Sequence, residues 1–265
     1  MTKLPFANKN LGQHFLKDKN VIQKITSTFL SEKPSAIVEV GPGPGALTLP
    51  LSKLNIPFYV VEKDERFTEI LNTFLHQNQI TFCDALKISW PTFFAEKNLH
   101  QKKIWLVSNL PYNIGVPLFF TFLPQTEFHF MTLMLQKEVA QKFILTGKNC
   151  MNSLGVMASI YFEVKVLIHV SPGAFHPPPE VDSMVLNLKR RETPLIPLSE
   201  WNALEGFLRL IFSQKRKQLQ NLLKNVFPIE KVTESFGQLG IKTSERAENL
   251  ELQQLVRLYY NLLKS

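Results

Sequence analysis

The sequence predicts an α/β fold followed by a small all-helical C-terminal domain. Three observations carry this prediction. From Ala36 to Arg190 short β-rich runs alternate with helical patterns, the arrangement of a sheet covered by helices. After RETPLIPLSE (191–200) the pattern becomes helical only. The first β-rich run also ends in a glycine-rich turn, as in parallel sheets that seat ligands at their carboxyl ends. A boundary is therefore expected near residue 195, dividing the 265-residue chain into segments 1–195 and 196–265.

Taken in order, AIVEV (36–40), FYVVE (58–62), ITFCD (80–84) and IWLVSN (104–109) predict four buried strands, and FHFMTLML (128–135) a fifth. A helix is expected to begin near Asp64, with Phe67, Ile70, Leu71 and Phe74 at helical spacing. QKEVAQKFI (136–144) and residues 153–162 predict two more. VKVLIHV (164–170) and MVLNLKR (184–190) predict a final antiparallel pair. The linker between them, SPGAFHPPPEVDS, is too rich in proline for either helix or strand. Further on, Leu219, Leu222, Leu223 and Val226 mark one face of a helix, with Lys217 and Lys224 on another. Pro228 is expected to end that helix, and a last one runs through LELQQLVRLYYNLL.

Composition narrows the function classes. Hydrophobic residues are 45% and charged residues 20%, too apolar a mix for a disordered chain. The longest apolar stretch, Val116–Pro124, contains Thr121 and is far shorter than the roughly 20 residues a membrane-spanning helix needs. The N-terminus lacks the apolar core of a secretory signal, and two cysteines make neither a disulfide framework nor a zinc cluster. A cytoplasmic, reduced protein with no membrane partner and no metal is expected. Its charge points to a polyanion. The net +8 is uneven: residues 1–30 carry five Lys and one Asp (+4), 31–198 carry 15 basic and 14 acidic residues (+1), and 199–265 carry 10 and 7 (+3). Basic ends around a near-neutral body suit nucleic acid.

Three successive strand ends form a cofactor constellation. The first ends in Glu39-Val40-Gly41-Pro42-Gly43-Pro44-Gly45, where glycines let the backbone approach a ligand. The next ends at Glu62, placed to accept from ribose hydroxyls. The third ends at Asp84, placed to accept from an adenine amino group. Gly41, Gly43 and Ala46 also satisfy the relaxed dinucleotide pattern, so the loop by itself admits NAD as well as S-adenosylmethionine.

The fourth strand ends in Ser108-Asn109-Leu110-Pro111-Tyr112-Asn113, which suits methylation of an exocyclic amine on a flat ring. The adenine N6 lone pair is delocalised into the ring. Two acceptors gripping its N–H bonds, the Asn109 side-chain oxygen and the Leu110 carbonyl, favour the tetrahedral nitrogen that attacks a methyl group. Pro111 stiffens the backbone and donates nothing. Tyr112 offers a face for a flipped-out base. Orientation and electrostatics then lower the barrier, without covalent nucleophile or metal.

These motifs, with Gly12-Gln13-His14-Phe15-Leu16, Met134-Leu135-Gln136-Lys137-Glu138-Val139, the stretch Pro172 to Ser183 (PGAFHPPPEVDS) and Gln214-Lys215-Arg216-Lys217, closely resemble the small-subunit ribosomal RNA adenine dimethyltransferase family over nearly the whole chain. The resemblance implies a Rossmann-like S-adenosylmethionine-dependent methyltransferase sheet domain with a basic N-terminal arm and a helical RNA-binding domain. It implies dimethylation of N6 of two adjacent adenines in the 3′-terminal hairpin of 16S rRNA, during biogenesis of the small ribosomal subunit. A monomer is the default expectation. By resemblance, cofactor contacts fall at His14, Leu16, Gly41, Glu62, Asp84 and Asn109, base stacking on Tyr112 and Phe175, and RNA phosphates on Lys215, Arg216 and Lys217. In this chain His14 stands where the family usually has Asn, and Asn152-Ser153-Leu154-Gly155 lacks a basic residue common there. Two rivals remain at this point: the sister type that methylates large-subunit rRNA, and a ribosome-assembly protein that kept the fold and lost the chemistry. His76, His100, His129 and His169 show no metal-ligand spacing.

Overall fold

A computed structural model describes residues 13–147, 150–214 and 216–264. The chain forms two compact units. One comprises the described residues up to Ala140 with Val164–Arg190, the other Gln141–Glu163 with Arg191 onward. Residues 141–163 thus group with the C-terminal helices, where the sequence suggested a single cut near 195.

The first unit is built on a seven-stranded sheet. In chain order its strands follow a two-residue strand β1 (Phe15–Leu16): β2 (Ala36–Val40), β3 (Phe58–Glu62), β4 (Ile80–Phe82), β5 (Ile104–Asn109), β6 (Phe128–Gln136), β7 (Phe162–Val170) and β9 (Ser183–Arg190), with β8 (Phe175–His176) lying apart from the sheet. The sheet order is β4-β3-β2-β5-β6-β9-β7. The strands from β4 to β6 run parallel, and β9 pairs antiparallel to β6. Because β2 and β5 sit in the middle of a sheet covered on both faces, they are near-continuous apolar runs rather than alternating ones. The order reverses between β2 and β5, so the crevice for a ligand opens above their carboxyl ends.

Polar residues inside the sheet are paired. The Trp105 Nε1–H donates to Thr132 Oγ1 (3.0 Å), which donates to Asn187 Oδ1 (3.1 Å), a chain across β5, β6 and β9. On the sheet's flank Trp90, Phe93, Phe94, Phe122 and Phe128 pack mostly edge to face with centroids 5.0–6.0 Å apart.

Several local expectations change. The third strand stops at Phe82, leaving Cys83 and Asp84 in the loop beyond it. The proline-rich linker is not featureless: a turn of 3₁₀ helix at Pro172–Ala174 leads into β8, which pairs antiparallel with β1 (Phe15↔His176, Leu16↔Phe175). A two-residue strand needs few donors, so proline at 177 and beyond does not prevent it.

In the second unit the helices are Ser153–Tyr161, Trp201–Ile211, Leu219–Leu223, Ile229–Leu239 and Leu252–Leu263. The helix beginning at Leu219 is shorter than its periodicity suggested. It ends at Leu223, and Val226 is 59% exposed rather than part of the buried face of Leu219, Leu222 and Leu223. Pro228 disfavours helical backbone at Phe227 and caps the start of the next helix. Lys217 precedes the helix, its N–H bound to the Gln214 carbonyl (3.0 Å), so it shares no helix face with Lys224. Glu200 gathers the unit's ends: Tyr259 Oη donates to it (3.0 Å) and Lys264 pairs with it. Among the described residues no helix is long and apolar enough to cross a membrane, and no group of three or more His, Cys, Asp or Glu is placed to hold a metal ion.

Candidate active site

A cavity of about 200 Å³ opens above the carboxyl ends of the parallel strands of the first unit. The Gly41–Pro44 loop, the Glu62 and Asp84 corners, His14, Leu16 and the Asn109–Tyr112 segment all line it. All of these but His14 and Leu16 fall at four separate strand ends in the sequence, and the parallel sheet brings those ends to one rim.

The loop after β2 turns with Gly41, Gly43 and Gly45 at φ of +70°, +54° and +89°. At Gly41 an added Cβ would meet no atom within 4 Å, so the missing side chain leaves open space over the loop. Glu62 holds the loop to β3. One carboxylate oxygen accepts the Gly43 N–H (2.9 Å), and the other accepts the N–H groups of Lys63 and Asp64 (both 2.8 Å). Burial pushes its pKa up, against the pull of these three bonds. Two carboxylate oxygens offer about four acceptor sites, so a ribose hydroxyl can still bind there. Asp84 accepts from Lys63 Nζ (2.9 Å) and the Leu86 N–H (3.0 Å), and the Lys63 ammonium holds its carboxyl below the usual range.

Glu39, the penultimate residue of β2 and 2% exposed, also lines the cavity. Thr48 Oγ1 donates to it (2.7 Å), yet desolvation pushes its pKa up to about 8. Within the glycine motif the sequence assigns Glu39 no role; an acid inside an otherwise apolar central strand is the signal that marks it. Gln13 and Asp64 were also missed. Gln13 Nε2 donates to Asp64 (2.9 Å), tying the segment before β1 to the end of β3.

The Asn109–Tyr112 segment is held from several sides. Ser108 Oγ donates to the Val40 carbonyl (2.6 Å), which sets the distance between the glycine loop and the segment after β5. The Asn109 Nδ2 amide donates to the His14 carbonyl (3.1 Å). A carbonyl only accepts, so nitrogen must lie on that side, and Oδ1 is turned the other way as an acceptor. The Leu110 N–H is bound to the Met134 carbonyl (3.1 Å), leaving the Leu110 carbonyl as that residue's available group. Pro111 follows, and Tyr112 stands half-buried with its hydroxyl 2.6 Å from Ser183 Oγ. Burial pushes the Tyr112 pKa up, so the hydroxyl stays protonated.

Phe175 is a correction. Expected to present an aromatic face opposite Tyr112, it is 1% exposed and packs in the core with Leu16, Val170 and Ala174. Alternation along β8 turns Phe175 inward and His176 outward, so its ring is committed to packing. Of the basic run, Arg216 is exposed and Lys217 half-buried in the second unit, and Lys215 lies outside the described residues.

The sheet order and the strand-end site define a Rossmann-like methyltransferase domain. Residues 6–264 match the family described as ribosomal RNA adenine dimethylase. The chain belongs to that family and is an enzyme of its class. It is 37% identical to the ribosomal RNA small subunit methyltransferase A of Pseudomonas syringae pv. tomato, covering 95% of this chain and 93% of that one. It is 34% identical to the protein so named in Malacoplasma penetrans, over 97% and 92%. Among solved structures it resembles a dimethyladenosine transferase from Plasmodium falciparum (25% identity, TM-score 0.74, 92% and 96% covered). It shares its fold with the 23S rRNA methyltransferase ErmE (24%, TM-score 0.72, 94% and 99%).

Proposed function

We propose that this enzyme uses S-adenosylmethionine to dimethylate N6 of two adjacent adenines in the 3′-terminal hairpin of 16S rRNA, within the small ribosomal subunit or its precursor, as a cytoplasmic monomer. The observation that carries the chemistry is the orientation of Asn109, whose amide nitrogen is spent on His14 and whose oxygen is left to accept. The small subunit is favoured by the relatives that share 34–37% identity over nearly the whole chain.

The cofactor fits the residues present. Open space over Gly41, the ribose-accepting carboxylate of Glu62 and the carboxylate of Asp84 suit its three parts, with His14 and Leu16 closing the rim. When bound, it supplies a methyl group on a sulfonium, activated for transfer. In the first transfer Asn109 Oδ1 and the Leu110 carbonyl would accept the two N6–H bonds, and in the second the one that remains, drawing the nitrogen lone pair out of conjugation and aiming it, with the proton displaced by each methyl leaving to solvent. Pro111 keeps that carbonyl in place, and Tyr112 holds the base by stacking. Fixed acceptors need no reorganisation as the nitrogen gains positive charge. Arg216 and Lys217, with Lys215, are proposed to neutralise RNA phosphates.

The test uses labelled S-adenosylmethionine with small and large subunits from cells lacking adenine dimethylation, followed by nucleoside mass spectrometry. Dimethyladenosine in the small subunit alone is the expected result. Label in the large subunit would reassign the substrate, and binding without label would mean the chemistry is lost.

A further inference from the structure

We infer that His14 is a positioning residue that sets both the acceptor and the stacking plane of the Asn109–Tyr112 segment; this rests on the methyl-transfer reading of that segment. Three contacts converge on it. Its backbone carbonyl accepts the Asn109 amide (3.1 Å) and so fixes which way Oδ1 faces. Its ring lies on Tyr112, with centroids 5.4 Å apart and planes inclined by 24°. Its Nδ1 is 2.9 Å from the Pro177 carbonyl. Since a carbonyl only accepts, Nδ1 carries the proton and the neutral ring is the Nδ1–H tautomer.

The consequences follow for Tyr112. A tyrosine in a loop turns about χ1 and χ2, and a base stacked on it would share that freedom. Here the hydroxyl is held by Ser183 (2.6 Å) and one face is covered by imidazole. The base is left the opposite face, at a fixed tilt. The imidazole is in turn anchored by the residue just past β8, whose pairing with β1 holds the backbone on either side (Phe15↔His176). The proline-rich loop therefore reaches the reacting amine through His14, although its own aromatic, Phe175, is buried in the core. Tilt matters most for the second methyl transfer, where the amine already carries a methyl and fewer approach angles are open to it.

Wild-type protein and the variants His14→Ala, His14→Phe and Ser183→Ala are assayed with S-adenosylmethionine and unmethylated small subunits. The readings are kcat, KM for subunits, cofactor affinity by calorimetry, thermal midpoint and the ratio of monomethyl- to dimethyladenosine. Because misplacement by about 1 Å costs up to about 100-fold, His14→Ala is expected, at saturating cofactor, to lower kcat about 10-fold and to accumulate monomethyladenosine, with KM for subunits within about twofold. His14→Phe keeps the ring over Tyr112 and is expected to recover kcat to within about threefold of wild type. Ser183→Ala, loosening Tyr112 at its other edge, is expected to shift the product ratio the same way.

A His14→Ala enzyme with wild-type kcat and product ratio would overturn the inference. So would a loss confined to cofactor affinity, or equal damage in the Ala and Phe variants with a lowered thermal midpoint and an unmoved ratio. Wild-type protein that methylates neither subunit would instead defeat the functional reading beneath it.

Discussion

In the proposed chemistry Asn109 acts through one atom, and the amide nitrogen of its side chain, bound to the His14 carbonyl, keeps that atom in place. Asn109→Ala removes the acceptor while leaving the His14 carbonyl, the Leu110 carbonyl and Tyr112 where they are. By analogy with loss of one preorganised hydrogen-bonding group, turnover should fall about 100- to 1,000-fold, with small-subunit affinity changed less than about twofold in a filter-binding assay. Retained turnover would sink the acceptor role. Glu39 gives a second residue-scale prediction, in pH. Its carboxyl is held protonated in the fold up to about pH 8, against an ordinary 4.5. Between those values the native state keeps a proton that the unfolded chain has released, so stability declines as pH rises, by up to about 1.4 kcal/mol per pH unit. Burial raises Glu62 as well, adding to the same decline. Glu39→Gln keeps an acceptor for Thr48 and cannot ionise. Thermal melts of the cofactor-free protein from pH 5.5 to 7.5 should therefore fall less steeply in the variant than in wild type; parallel curves would refute the assignment.

At the scale of elements, the glycine loop separates two jobs that its sequence runs together. Gly45 lies at φ +89°, and a Cβ there would sit 2.6 Å from the Phe74 ring. Gly45→Ala combines a left-handed backbone with a clash against packed carbon, and should cost about 2 kcal/mol or more, lowering the thermal midpoint by about 5 °C. Gly41 shares the positive φ and meets nothing, so Gly41→Ala should cost nearer 1 kcal/mol. Its methyl would project over the loop, and the expected damage is to cofactor affinity. Melts and calorimetry on the two variants should rank them in opposite orders. This division was not legible in Gly41-Pro42-Gly43-Pro44-Gly45, because it depends on Phe74, which arrives from 29 positions beyond Gly45. The strands themselves were legible. A central parallel strand such as AIVEV is buried on both faces and announces itself as an apolar run. The acids Glu62 and Asp84 were readable because parallel topology puts every strand's carboxyl end on one rim. What escaped was set by pairing across long separations: β1 with β8, which turns Phe175 inward, and Gln13 with Asp64. Helix limits in the second unit also escaped, since Phe227-Pro228 breaks a periodicity that continues to Val226.

At the scale of the whole molecule, the proposed RNA substrate makes charge the property expected to govern association. The surplus of +8 is concentrated in residues 1–30 and 199–265, while the body that carries the cavity is close to neutral. Such a distribution should make association with the small subunit fall steeply with salt while leaving the chemical step unaffected, because counterions released from phosphates act on binding alone. Arg216 is exposed, and Lys217 beside it is half-buried. If both face phosphates, Arg216→Ala combined with Lys217→Ala should reduce the slope of log affinity against log salt by about 1.5. Turnover at saturating subunit should stay within about twofold of wild type, since neither residue lines the cavity. The measurement is subunit affinity from 50 to 300 mM potassium chloride for both proteins, with kcat at saturation alongside. An unchanged slope would make the basic run a solvated face and shift the electrostatic footprint to the basic residues of 1–30, where neutralising Lys17, Lys19 and Lys24 would have to carry the effect instead.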